Sequence, residues 1–152
     1  MKRKYGIRYR VRSKSSNKKL KKECDDLRRE IIYLRAGYKS ELSGRPGKQI
    51  GGTDVLNDHH PAGKPNNRLR YELDNGVCLT KGEHFFLAHN QAEAERMRTW
   101  ILRKKGPDFF DRMEMLKNSK CDLRDVKVYL QAELEKLKDA KIKPVTEKQA
   151  DL

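Results

Sequence analysis

Apolar residues along the chain recur mostly at steps of three and four, in blocks separated by Gly, Pro and Asn. Leu20, Cys24, Leu27, Ile31 and Leu34 fall on one helical face. They predict a helix capped by Asn17, running to about Ala36 and closed by Gly37. The stripe reads as a packing face. From Gly37 to Asn57 the turn signals Gly44-Arg45-Pro46-Gly47 and Gly51-Gly52 predict a loop. Val55 and Leu56 open a short strand. A second short strand is expected at Gly76–Leu79, directly after the Asn75-Gly76 turn, and a helix over residues 81–90. Three more helices are expected over 91–105, 107–118 and 122–141, with Gly106 stopping the first and Pro107 suiting the opening turn of the second. Met97, Trp100, Ile101, Phe109, Phe110 and Met113 are expected to pack against the strand–strand–helix segment. In the last helix Leu123, Leu130, Leu134 and Leu137 share one side, which serves equally for packing in cis or as a surface for a second copy or a partner helix.

These elements sort 152 residues into one modest domain, too short for two full cores. With 38% charged and 7% aromatic residues, that core must be small. The division expected is a basic flexible arm at 1–16, a domain at 17–118, a C-terminal helix at 119–141 and a disordered tail at 142–152. The net charge of +14 is unevenly spread: residues 1–22 hold eleven Lys or Arg and no acid, leaving 25 basic against 22 acidic residues elsewhere. A basic arm on a nearly neutral body points to attraction for a phosphate backbone. Localisation signals, anionic lipid and solubility also use basic runs. Arg8, Arg10 and Arg12 are the candidate nucleic-acid contacts there, since Tyr5, Ile7 and Tyr9 interleave with them and aromatics among arginines stack on bases. No apolar run has membrane-spanning length and no signal-peptide core is present. Cys24, Cys78 and Cys121 are odd in number and lack motif spacing, so the chain reads as cytoplasmic and reduced.

All four histidines lie between residues 59 and 89, as His59-His60, His84 and His89, with Asn75 between the pairs. Histidine is the commonest metal ligand and the commonest general base near neutral pH. Such a cluster builds a one-metal hydrolytic site; four surface histidines scattered by chance are the bland alternative. Asn75-Gly76 also stands by itself as a good turn dipeptide, and His84 as a core histidine beside Phe85. Lys64, Arg68 and Arg70 occupy the connection between the histidine pair and Asn75, as phosphate clamps or as a solvated loop.

The strings Asp58-His59-His60-Pro61, Arg68-Leu69-Arg70-Tyr71-Glu72-Leu73-Asp74-Asn75-Gly76-Val77-Cys78-Leu79 and Glu83-His84-Phe85-Phe86-Leu87-Ala88-His89-Asn90 resemble an HNH endonuclease. Within that superfamily they are most similar to phage recombination endonucleases of the NinG type, over roughly residues 22–118, including Leu27-Arg28-Arg29-Glu30, Arg35-Ala36-Gly37-Tyr38 and Gly106-Pro107-Asp108. The resemblance implies an α+β fold, with a small ββα-metal motif at about 53–90 embedded in a mostly α-helical domain. It implies His60 as general base, Asn75 as the residue holding the loop that orients it, and His59 and His84 as metal ligands. Alternation along an extended strand separates His59 from His60.

His89 is the less regular ligand candidate. Many members place a ligand four residues after the helical histidine, where this chain has Ala88, and His89 lies a further 100° around an ideal helix. A slipped register would instead make Asp58 the ligand and His59 the base. Similar nucleases often carry two Cys-x-x-Cys pairs; here the matching segments are Ser40-Glu41-Leu42-Ser43 and Thr80-Lys81-Gly82-Glu83, so no structural zinc is expected. The resemblance thus implies a phage-type DNA endonuclease with one divalent metal, magnesium or manganese. It would act on branched or recombining DNA in the host cytoplasm and leave 5′-phosphate and 3′-hydroxyl ends. The alternatives are an HNH nuclease of another pathway, such as packaging or homing, RNA as the ligand, or an inactive basic nucleic-acid-binding protein on the same scaffold.

Overall fold

A computed structural model of the protein describes residues 14–142. Its elements run α1 (Lys14–Arg35), β1 (Leu56–His59), α2 (Asn67–Tyr71), β2 (Val77–Thr80), α3 (Lys81–His89), α4 (Gln91–Lys105), α5 (Phe109–Lys117) and α6 (Leu123–Ile142), with a 3-10 turn at Lys48–Ile50. The architecture is a mostly helical α+β arrangement around a two-stranded antiparallel sheet. Among the described residues no helix is long and apolar enough to cross a membrane, and all three cysteines are free thiols.

Helix α1 already includes Lys14-Ser15-Ser16, ahead of the expected cap at Asn17. The arm expected at 1–16 is therefore shorter at its C-terminal end; residues 1–13 lie outside the described residues, as do 143–152 of the expected tail. The helix ends where Gly37 takes a φ of 63°, and the Tyr38 amide donates back to the Tyr33 carbonyl at 2.8 Å.

The sheet pairs Leu56 with Thr80, Asn57 with Leu79, Asp58 with Cys78 and His59 with Val77. Every residue of β2 is buried, which explains its unbroken apolar run. Its two faces feed two cores. Cys78 and Leu56 join Cys24, Ile31 and Ile32 of α1 and Leu130 of α6. Val77 and Leu79 join Met97 and Ile101 of α4 and Phe109 and Met113 of α5, with Trp100 and Phe110 packed alongside. The second core is the one the apolar residues of 97–113 suggest.

The leucine side of α6 packs in cis. Leu123, Leu134 and Leu137 lie against the α1 core around the fully buried Leu130. The 119–141 helix is thus part of the same packed unit, and its leucine face is not free for a dimer or partner helix. Val128 and Tyr129, 67% and 50% exposed, mark its outer side. Helix α5 begins at Phe109 behind Asp108 rather than at Pro107. Helix α2 lies inside what reads as loop: Asn66 caps it by accepting from the Leu69 amide, and Leu69 and Tyr71 anchor it inward. Five residues are too few for a helical period to declare itself.

Candidate functional site

Strand β2 runs directly into α3, and this junction sets the site. The Thr80 hydroxyl accepts from the Glu83 amide at 3.1 Å, while the Glu83 carboxylate accepts from the Thr80 amide at 2.8 Å. This reciprocal cap fixes the direction of the first turn. His84 follows one residue later and faces His59, the last residue of β1. Their ring centroids are 5.1 Å apart in an edge-to-face arrangement. The reading of His84 as a core histidine packed by Phe85 does not hold, because Phe85 is 65% exposed. Burial, with the nearby His84 adding to it, lowers the His59 pKa to about 4. The ring is therefore neutral at physiological pH, the form that ligates metals.

His60 faces different company. It lines a polar cleft with Asp25, Arg28, Asn57, Asp58, Lys64 and Arg70. Its Nε2 lies 3.1 Å from the Arg70 carbonyl oxygen. A carbonyl only accepts, so Nε2 carries the hydrogen. Burial first, then the Arg28 charge, lowers the His60 pKa to about 3. A neutral ring with Nε2 protonated leaves the lone pair on Nδ1.

The loop after His60 is pinned from within by Asn75, which is wholly buried. Its Oδ1 accepts from the Ala62 amide at 2.9 Å, and its Nδ2 donates to the carbonyls of Gly63 at 2.8 Å and Leu69 at 3.0 Å. Arg28 of α1 ties the same region to the helix. It pairs with Asp58 and donates from Nη2 to the Asn75 carbonyl at 2.7 Å. Asp58 is thus taken up by Arg28, which argues against the slipped register with Asp58 as ligand. Gly76 is glycine for closeness rather than for turning: any Cβ there would collide with Ile32, and would stand 3.0 Å from Arg28 Nη2.

No family model, curated protein or solved structure matches the chain. What the site can do is set by its own residues. Among the described residues, no group of three or more His, Cys, Asp or Glu is gathered as a metal site, so His59 and His84 stand as a two-imidazole pair. The side chain of His89, and Arg8, Arg10 and Arg12 entirely, lie outside the described residues.

The candidate phosphate clamps divide. Lys64 is exposed at the mouth of the His60 cleft. Arg68 pairs with Glu72 at 3.1 Å. Arg70 is corrected from clamp to brace: its Nε and Nη2 both grip Asp25 at 2.7 Å, and Tyr71 donates to the same carboxylate at 3.0 Å. A guanidinium fork so occupied holds α2 to α1 rather than waiting for a phosphate.

Ser40, Ser43, Thr80 and Glu83, where the resemblance would put zinc thiolates, meet in a hydrogen-bonded cluster. Ser40 Oγ donates to Glu83 Oε2 at 2.6 Å, and Ser43 also bonds that carboxylate. Alongside, Glu41 accepts from the Cys78 amide at 2.7 Å. Hydroxyls and carboxylates thus join these segments.

Two residues near these histidines escape a reading by motif. Arg28 sits four residues after Cys24 and three before Ile31, within the apolar stripe of α1. A cation on a packing face must have a buried partner, and that signal was available. Arg98, which lines the cleft beside His59, lies on an otherwise charged stretch of α4 and gives no such sign.

Proposed function

We propose that the protein is a metal-dependent DNA endonuclease of the HNH type, with a ββα-metal core formed by β1, β2 and α3. The observation that carries this reading is the convergence of His59 and His84, from a strand end and a helix, to 5.1 Å between rings. Two neutral imidazoles fit a labile divalent ion whose other positions go to water and phosphate oxygens. Magnesium keeps water and oxygen ligands, so of the two ions manganese takes imidazole the more readily. When bound, the ion supplies charge neutralisation at the phosphate and stabilisation of the leaving 3′ oxygen.

His60 is the general base. Its Nε2–H is held by the Arg70 carbonyl, and Nδ1 accepts a proton from the water that attacks phosphorus in line with the 3′ oxygen. Asn75 keeps the 61–74 loop folded so that this ring holds its place. Lys64 is an exposed cation on the His60 cleft for the phosphodiester backbone, and Arg29 is another. Products carry 5′-phosphate and 3′-hydroxyl ends. A substrate phosphate must seat across the β1 terminus, reached by His59 from one side and His60 from the other. Branched or recombining DNA is the substrate that the NinG resemblance favours.

A second reading is a basic nucleic-acid-binding protein without hydrolysis. One observation favours it: the His59–His84 pair gathers no third ligand among the described residues. Supercoiled and four-way-junction DNA, incubated with manganese or magnesium, separates the two. The nuclease reading expects metal-dependent cutting, reduced about 100-fold or more by His60→Ala, in the range usual for a general base. Binding with no cutting on either substrate selects the second reading. Cutting that survives His60→Ala removes His60 as the base.

A further inference from the structure

We propose that two contiguous clefts beside His59 hold a nucleobase of the DNA strand, with Arg98 and Phe110 as the residues that grip it. The inference rests on the reading of the His59–His84 pair as the phosphodiester site. The first cleft, about 280 Å³, is lined by His59, Pro61, Leu87, Met97 and Ile101. The second, about 310 Å³, is walled by Ala62, Leu69 and Met113, with Glu114 and Lys117 contributing charge. Pro61, Arg98 and Phe110 line both.

The feature common to the clefts is a cation over an aromatic ring: Arg98 Cζ lies 3.9 Å from the Phe110 ring centroid. That contact holds an exposed guanidinium in place before any ligand arrives. Apolar walls with a flat cation suit a planar, polarisable ring, and both aromatic faces and guanidinium planes stack on bases without regard to base identity. Together the clefts fall in the range of about 300–1,000 Å³ typical of small-ligand sites. Arg98 and Lys117 against Glu114 leave the lining net positive, matching a ligand tethered to phosphates. His59, one member of the candidate metal pair, lines the first cleft, so the base it takes belongs to a nucleotide flanking the cut.

The test uses the full chain carrying His60→Ala, mixed with single-stranded oligonucleotides bearing 2-aminopurine at successive positions. The proposal expects several-fold quenching at one position and little elsewhere. Arg98→Ala should remove that quenching and weaken binding about tenfold, the scale of one lost stacking contact. Ala94→Trp, at an exposed α4 position on the first cleft, fills the space from outside the core and should have the same effect. Quenching spread evenly along the strand, or unchanged in both variants, overturns the proposal; so does self-association in sedimentation that Ala94→Trp abolishes, since a second copy would then cover the clefts. Position-specific quenching in a protein that never cuts DNA supports the clefts and removes only the hydrolytic reading.

Discussion

The two sides of the β1 terminus are made of opposite materials. Beyond His59 lie Leu87, Met97 and Ile101, with Arg98 the charged residue of that cleft; beyond His60 lie Asp25, Arg28, Lys64 and Arg70. Both rings are nonetheless neutral, with pKa values lowered to about 4 and about 3. Burial is the largest cause in each, reinforced by His84 on one side and by Arg28 on the other. The apolar side leaves an imidazole facing another imidazole, an arrangement suited to sharing a cation. The polar side spends one nitrogen on a backbone carbonyl and leaves the lone pair of the other unengaged by that bond. On the proposed reading, one step along the backbone separates two chemical tasks, and the environment rather than the residue type assigns them.

The strongest way to break this comparison is to remove the charge that organises the polar side. Arg28 is 1% exposed, and its partner Asp58 has a side chain 9% exposed. Arg28→Ala leaves a buried carboxylate and the Asn75 carbonyl without their donor, and should cost about 3–5 kcal/mol in urea unfolding. Arg28→Met with Asp58→Leu should recover most of that loss, because the pair is imperfect: Arg28 Nε and Asp58 Oδ1 have no partner among the described residues. A double variant as unstable as Arg28→Ala would show that the bonds to the loop carbonyls, not the ion pair, carry the stability. In either variant that folds, manganese binding at the His59 side should persist by calorimetry.

Asn75→Ala sharpens the same contrast from the loop. It orphans the Ala62 amide and the Gly63 and Leu69 carbonyls together. The expected loss is about 2–3 kcal/mol, the range for buried polar groups left unpaired. Faster hydrogen exchange at the Ala62 amide should accompany it. A loss below about 0.5 kcal/mol, the size of an ordinary surface change, would mean the loop is held by something other than Asn75.

How much of this could be read beforehand depended on whether the signal was local. The apolar steps of α1 and the Gly106 stop of α4 declare themselves within a few residues. So does the Asn-Gly junction ahead of β2, although Gly76 is needed there for close packing against α1. Helix α2 did not, because five residues with two anchors, Leu69 and Tyr71, carry no period. The histidines could be picked out by type and spacing, but which ring faces which neighbours could not. That depends on Arg28 and Asp25 arriving from α1, more than thirty residues away in sequence. Arg70 shows the same limit: a basic residue in a connection looks free until the distant Asp25 is seen to hold it.

The brace between α1 and α2 gives the smallest effect, and it is read by acid. Burial pushes the Asp25 carboxyl up, but the hydrogen bonds from Arg70 and Tyr71 outweigh it and leave its pKa below the ordinary value. A group whose pKa is depressed by folding adds stability above its unfolded pKa, near 3.9 for aspartate, and loses it as pH falls through the folded value. Asp25→Asn should therefore cost on the order of 1 kcal/mol at pH 7, as for ion pairs that stay partly solvated. Wild type and variant should converge in stability as the pH is taken below that window. The hydrogen bond from His60 to the Arg70 carbonyl runs through the backbone, not the guanidinium, so the loss at pH 7 should leave the neutral form of His60 intact by NMR. A difference between the two proteins that is constant from pH 7 to pH 2 would show that Asp25 acts by packing, not by charge.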